Sequence, residues 1–525
     1  MRGGAIARLS GLILGVVIVA IDGVGTAMAL PAIQADLDAS FSTLQWTISI
    51  YLMTVALTVV VMGRFGDMFG RRRIYLLALA AFGLGSLVCG LAPDIAVLLA
   101  GRVVQGFGGA GLYVLSLALV TSSVPRERIG SGVALWAAAA GVGMAIGPLV
   151  YGALVDLVDW RAVFLVNIPI VAVAYVLTVT RIEESSDPQA GRTVDVRGIA
   201  LLTAGLGMLL LGIIQADAWG WTSPLTLGLI VLSAIPFALF VAVEDRVRQP
   251  LIELALFGKN AAFVAANAVG VGVYFTIYAV AFVMAIFLQD IQGHSAAEAA
   301  LLLLPWPVAF ALMAPRAGKL VPRVGAVPMM VGGSLGLAVS ALMLGFADES
   351  TGELYIGGAL LLFGIGQAFA IVAVSAAALG AVPREKAGAA SGIRSTMAYV
   401  SASLGVAVVG AVLLVRERAR LGQITEEDGR RLTTDEQQEI DGVLAGSEQA
   451  EARLGDYPPL QEEQIREAAG QAFSAGLTAG MVVCAGVLVA GVLLLLAITR
   501  RAAHRVPAPQ GHPGLPPHPE PEPKD

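Results

Sequence analysis

The stretch GRFGDMFGRRR, residues 63–73, separates two apolar runs, VALTVVVM (55–62) and IYLLALAAF (74–82). Its four arginines and one aspartate stand out in a chain that is 57% hydrophobic and only 14% charged, with a mean hydropathy of +0.79. A soluble protein needs about 25% charged residues to cover its surface, so this composition excludes one. The polar residues are gathered into short knots between apolar runs of about 20 residues, the length that crosses a bilayer. Backbone amides cannot stay unpaired in lipid, and runs this long and this continuously apolar form helices rather than barrel strands. The pattern predicts an all-α polytopic membrane protein. Its fourteen spans begin at 9–30 and 44–62 and end at 472–498, and 198–215 and 298–314 are the weakest of them.

The knots also orient the chain. Arg64 and Arg71 to Arg73, Arg126 and Arg128, Arg192 and Arg197, Arg246, Arg248 and Lys259, Arg316, Lys319 and Arg323, and Arg384 and Lys386 fall in alternate connections. The intervening ones, such as QADLDAS (34–40) and ADES (347–350), are almost free of Lys and Arg. The positive-inside rule puts the first set, and with it both termini, in the cytoplasm of a bacterial inner membrane. Arg2 and Arg8 before an apolar run, with Ala27-Met28-Ala29 after it, would also suit a cleaved leader. The length of the run, Asp22 within it and the many later spans favour an uncleaved first helix. An acid-rich connection, 416–470, is expected on the outer face, as a small helical cap or as a solvated loop. The Pro-rich segment 499–525 is expected to be a disordered cytoplasmic tail.

Two echoes point to duplication. SSVPRERIGSG (122–132) is matched by GAVPREKAGAASG (380–392), and GRFGD (63–67) by PRAGK (315–319). Both pairs are separated by about half the chain. The plan that follows is a six-helix bundle over 1–180, a linker with two extra spans over 181–261, and a second six-helix bundle over 262–498. Such halves commonly enclose a substrate site at the membrane midplane, and one chain holding both halves can work as a monomer.

The opening stretch resembles the loop between helices two and three of the major facilitator superfamily. Gly63, Gly66, Asp67, Gly70, Arg71 and Arg72 carry the resemblance, and Phe65 replaces a usual leucine. LLAGRVVQGFGGAG (98–111) is similar to the family's helix-four motif through Arg102, Gln105 and Gly106. GVGMAIGPLVYGAL (141–154) resembles the exporters' helix-five motif through Gly143, Gly147, Pro148 and Gly152, with Tyr151 where a glycine is usual. DWRAVFLVNIPI (159–170) and IDGVGTAMALPAI (21–33) look like the fourteen-helix drug:proton antiporter branch. The resemblance implies the major facilitator fold, a gating role for the 63–73 turn, and antiport.

Charge at bilayer depth is costly and marks functional candidates. Asp22 is expected to carry the coupling proton or to meet substrate; the alternative is a cap at a break near Gly23 and Gly25. Arg102 stays charged, so it is expected to tune a nearby carboxylate such as Asp22, which lies at a similar depth, to bond a helix backbone, or else to snorkel outward. Arg394 is a candidate contact between the bundles. Asn267, Tyr274 and Tyr278 recur along one helical face and, with Gln45, Trp46 and Gln367, are candidates to line a substrate cavity; Trp46 would serve equally as an interfacial anchor. The cysteines, Cys89 and Cys484, lie in apolar runs and read as packing residues, and none of the four histidines falls in a span, which excludes a membrane-embedded histidine metal centre. There is no phosphate loop, no clustered acids for an embedded enzyme and no filter-like repeat for a channel. The expected function is a cofactor-free, proton-driven antiporter that exports hydrophobic or amphiphilic, often cationic, drugs, dyes or secondary metabolites. The alternative is export of lipids or polar metabolites on the same scaffold. The partners expected are substrate, protons and lipid, with no nucleic acid.

Overall fold

The computed structural model describes residues 3–125, 129–186, 195–247, 250, 260–382, 387–427 and 459–503. Fourteen helices in it are long and apolar enough to cross a membrane. They are α1 (Arg8–Leu37), α2 (Phe41–Phe69), α3 (Arg71–Gly90), α4 (Ile95–Ser122), α5 (Leu135–Leu157), α6 (Ala162–Arg181) and α7 (Val196–Ile214). The rest are α8 (Pro224–Glu244), α9 (Ala261–Ile291), α10 (Ala296–Val324), α11 (Ala326–Gly345), α12 (Glu353–Gly380), α13 (Ala390–Ile424) and α14 (Ile465–Arg501). Helices α1 to α6 pack on one another, α9 to α14 do likewise, and α7 and α8 form a hairpin against α2 and α13.

Several elements are longer than the apolar runs suggested. The weak span at 298–314 extends from Ala296 to Val324, broken once at Leu304 before Pro305 and then helical through Pro315 and Pro322. The acid-rich connection is helical at both ends, because α13 and α14 continue beyond the apolar core through 416–427 and 459–470. Its centre, where a helical cap or a solvated loop is expected, lies outside the described residues. So do the tail after 503 and the charged cores of the V-P-R-E echo, 126–128 and 383–386.

The 63–73 turn is tighter than a loop. Helix α2 runs through Gly63, Gly66 and Asp67, and one residue, Gly70 at φ +106°, reverses the chain before Arg71 starts α3. An L side chain is strained at that φ. The far half repeats the device: Gly325, at φ +92°, is the sole residue between α10 and α11. It follows Gly70 by 255 residues (325 minus 70), so the turn glycines are spaced like the sequence echoes.

Asp67 does not cap a helix. Its carboxylate pairs with Arg71 at 2.7 Å, one turn along. The exposed amides at the start of α3 are taken by Glu184, beyond α6, which accepts from Arg72 N at 2.9 Å and Arg73 N at 3.1 Å. A carboxylate there satisfies orphan donors and opposes the positive end of the helix dipole.

The two halves meet along α2–α13 and α5–α10 and, through α9, on α1 and α2. Ser403 Oγ donates to the Ser49 carbonyl at 3.1 Å, and Phe41 meets Phe282 edge-on at 5.5 Å. At the end opposite the Gly70 turn, Asp156 at the close of α5 accepts from the first amides of α10, Ala296 N at 3.1 Å and Ala297 N at 2.9 Å. Gly152, one turn earlier, is pressed against the Ala296 carbonyl with no room for a side chain.

Within the first half, the α3–α4 crossing is the closest packed. A Cβ on Gly85 would lie 2.4 Å from Gln105 N, and one on Gly101 would lie 2.6 Å from Cys89 Sγ. Small residues allow such approach where helices cannot rely on hydrophobic exclusion. Gly85→Val should therefore destabilise the fold by about 1–3 kcal/mol, the range for overpacking. Gly228→Val, where nothing stands within 4 Å, should be close to neutral. Thermal unfolding of the two detergent-purified variants against the parent checks this.

Candidate functional site

Helix α4 begins at an Asp94 cap, whose carboxylate accepts from Val97 N at 2.9 Å. Three and four residues apart are neighbours on a helix, so Arg102 and Gln105 project together from α4. Helix α1 places Asp22 opposite them, just before its regular winding tightens into a 3₁₀ turn over Thr26–Ala29. Arg102 Nη1 donates to Asp22 Oδ2 at 2.7 Å and to Gln105 Oε1 at 2.6 Å. Gln105 Nε2 closes the triangle by donating to Asp22 Oδ1 at 3.0 Å. Arg102 Nε donates to the Thr47 carbonyl on α2 at 3.0 Å, and the guanidinium lies 4.2 Å from the Tyr51 ring centroid. The pair is sealed: the Arg102 side chain is 1% exposed and that of Asp22 0%.

The network runs further than the sequence motifs. Gln105 Nε2 also donates to Ser86 Oγ on α3, at 3.0 Å. Asn167 Nδ2 on α6 donates to the same oxygen at 3.5 Å and to the Tyr151 hydroxyl at 3.2 Å. Tyr151, at the glycine position of the helix-five motif, is thus buried and joined through two polar side chains to Gln105. Sequence reasoning missed Ser86 and Asn167. The available signal was a serine and an asparagine inside apolar spans, where an unpaired polar group is costly.

The helix-five glycines set the distance between α1 and α5. A Cβ on Gly143 would lie 2.7 Å from the Val17 carbonyl, and one on Gly147 2.9 Å from the Ile21 carbonyl. Gly106 packs as tightly on Thr54 of α2. Pro148 interrupts the α5 hydrogen-bond ladder one residue after Gly147. Asp22 and the Asp156 contact therefore sit on two helices in backbone contact.

A cavity of about 280 Å³ lies between the halves, nearer the end that carries the Gly70 turn. Tyr274, Tyr278, Gln367 and Arg394 line it, with Tyr113, Trp136 and Tyr399. Asp22 is not on its wall, although Ala20 and Val24 of the same helix are, and the Tyr278 hydroxyl reaches to 3.6 Å from the Cβ position of Gly23. Trp306 Nε1 donates to Gln367 Oε1, fixing that amide. The remaining sequence candidates face elsewhere. Gln45 is buried against Gly410 of α13, Trp46 packs on the α7–α8 hairpin, and Asn267 is fully buried with its Nδ2 bonded to the Phe263 carbonyl at 2.8 Å. The periodicity of Asn267 with Tyr274 holds, but seven residues of helix lift Asn267 about 10 Å along the axis, away from the cavity. Among the described residues no group of three or more His, Cys, Asp or Glu could hold a metal ion.

The family model that matches this chain, over residues 12–406, is described as Major Facilitator Superfamily. A multidrug resistance protein, Stp, of Mycobacterium tuberculosis is 36% identical over 401 residues, covering 76% of this chain and 74% of Stp. The tetracenomycin C resistance and export protein of Streptomyces glaucescens is 32% identical over 416 residues, 79% of this chain and 77% of that protein. Among solved structures, a bacterial homologue of the human lysosomal transporter Spinster superposes with a TM-score of 0.65 at 17% identity, covering 95% of this chain and 98% of the other.

Removing one member of a buried ion pair strands the other, at a cost of about 3–5 kcal/mol. Arg102→Ala should therefore lower stability by that order, and Asp22→Asn/Arg102→Ala should recover much of the loss. Unfolding midpoints of the parent, the two single variants and the double variant give the coupling directly.

Proposed function

The chain belongs to the major facilitator superfamily, as a multi-pass transporter of small molecules, and we propose that it is a proton-coupled exporter of polar aromatic compounds. The observation that carries the coupling is the sealed Asp22–Arg102–Gln105 triangle beside a cavity between the halves. Asp22 is the proton site. When it takes a proton, Arg102 loses its counter-charge and the triangle must rearrange, since an uncompensated buried cation is costly. The 3₁₀ turn at Thr26–Ala29 gives α1 a joint beside the carboxyl group. Movement there presses on α5 through Gly143 and Gly147, and α5 holds the Asp156 contact to α10. Protonation at one site is in this way linked to opening at the interface between the halves, a rocking of two packed bodies.

Export as the direction is supported by the helix-five motif and by the relatives, one of which is named a resistance and export protein. Both relatives named above are bacterial, and the arginine-rich connections support an inner membrane with the Gly70 turn and both termini on the cytoplasmic side. The cavity then faces the inside and the Asp156 contact closes the outside. The cationic preference expected from Asp22 has no support in the cavity, because that carboxylate is buried away from its wall. Six lining aromatics, four of them tyrosines, and the Gln367 amide favour the polar-metabolite alternative instead.

The test is a proteoliposome with a trapped pH dye and an imposed proton gradient. Polar aromatic compounds should trigger proton flux in the parent, and Asp22→Asn should abolish it while the protein remains folded. Flux that survives in Asp22→Asn removes Asp22 as the carrier; no flux from the folded parent with any compound removes proton coupling.

A further inference from the structure

We propose that Arg394 makes the cavity an anion site, so that the transported molecules are aromatic acids, recognised through a carboxylate or an equally acidic group. This rests on reading the cavity as the substrate site, and adds the substrate's charge to it.

The contrast between two arginines at membrane depth carries the inference: Arg102, fully buried, and Arg394, partly buried on the cavity wall. Arg102 has a carboxylate, an amide and a carbonyl within 3.0 Å. Arg394 has no carboxylate. Its Nη1 donates to the Tyr274 hydroxyl at 3.2 Å, Tyr113 stands on the same cavity wall, and its Nε is buried without a hydrogen-bond partner. Two neutral phenols do not balance a guanidinium, which stays charged in proteins. Among the described residues lining the cavity, Arg394 is also the sole charged one: no aspartate, glutamate or lysine stands on the wall. A cation held at membrane depth without a counter-ion is costly, and here the missing charge would be supplied by what enters.

The surroundings fit a flat acid. Tyr113 lies across the interface from Arg394, meeting Trp136 edge-on at 5.3 Å and Tyr399 at 5.8 Å. Trp136 is held by its Nε1 donating to Ser116 Oγ at 2.8 Å. These rings form a fixed apolar wall beside the guanidinium. Arginine presents paired N–H donors that match a carboxylate, and a phenol that accepts from arginine keeps its own proton free to donate to the same anion. An entering cation would meet the reverse, an unscreened like charge in a low-dielectric chamber. The 280 Å³ of space admits one small aromatic molecule. The site also spans both halves, Tyr113 and Trp136 from one and Arg394, Tyr274 and Tyr399 from the other, so a bound acid would tie them together.

The test is binding, read separately from transport. Naphthoate, naphthamide and naphthylmethylammonium share a ring system and differ in charge. Their affinities for the detergent-purified protein at neutral pH can be measured by calorimetry. The acid should bind at least tenfold more tightly than the ammonium, with the amide between. Arg394→Gln should erase that order, Arg394→Lys should keep its sign, and Tyr274→Phe should weaken the acid without favouring the amine. Unfolding midpoints show which variants are folded, and the parent's own preference needs no variant. Equal or tighter binding of the ammonium by the parent overturns the proposal, as does an acid preference that survives in folded Arg394→Gln. Proton flux without acid preference leaves the exporter reading standing and removes this one; acid binding without proton flux does the opposite.

Discussion

A carboxylate and a guanidinium 2.7 Å apart, both sealed from solvent inside a membrane helix bundle, constrain everything around them. Neither charge is tolerable alone at that depth, so the helices that carry them must keep their rotation and height to within a hydrogen bond. Gly85, Gly101, Gly106, Gly143 and Gly147 are the means: each removes a side chain where two backbones must approach for Asp22, Arg102 and Gln105 to meet. The tight crossings of the first half are thus explained by the ion pair as much as by packing in general. In the second half a partly buried arginine, Arg394, opens on a cavity instead. The halves share a plan, down to a one-glycine turn at Gly70 and Gly325, and differ in what they do with charge.

Much of this was legible in the sequence, because the bilayer makes composition speak. Span number, the two extra helices and the candidate charges follow from runs of apolar residues and the cost of interrupting them. Asp22 and Arg102 are both visible as misfits at similar depth, which makes them candidate partners; depth along two helices does not fix their rotation, so the contact itself comes from the structure. The same ambiguity misassigned Gln45, Trp46 and Asn267. A polar residue in a span must avoid lipid, but a neighbouring helix satisfies that as well as a cavity does. Ser86 and Asn167 went unread because a single uncharged polar residue carries a weak signal in a helix.

The turn at 63–73 was read as a charged loop and is almost entirely helix. Composition hid this: glycines and arginines look like a connection, yet only Gly70 leaves the helical region. The amides at the start of α3 are taken by Glu184, more than a hundred residues away and invisible to any local pattern. Its distance matters to the fold, since it fastens the chain after α6 to the start of α3 and so ties the linker to the first bundle.

The contact between Asp156 and the start of α10 is one-sided in its chemistry. One partner is a side chain; the other is a pair of main-chain amides, which every residue except proline possesses. Mutation can therefore reach this closure from the Asp156 side at almost any step, and from the α10 side at almost none. Over evolutionary time the side chain of the partly exposed Ala297 is free to drift for other purposes, while the seal its amide takes part in is inherited through the single carboxylate that faces it.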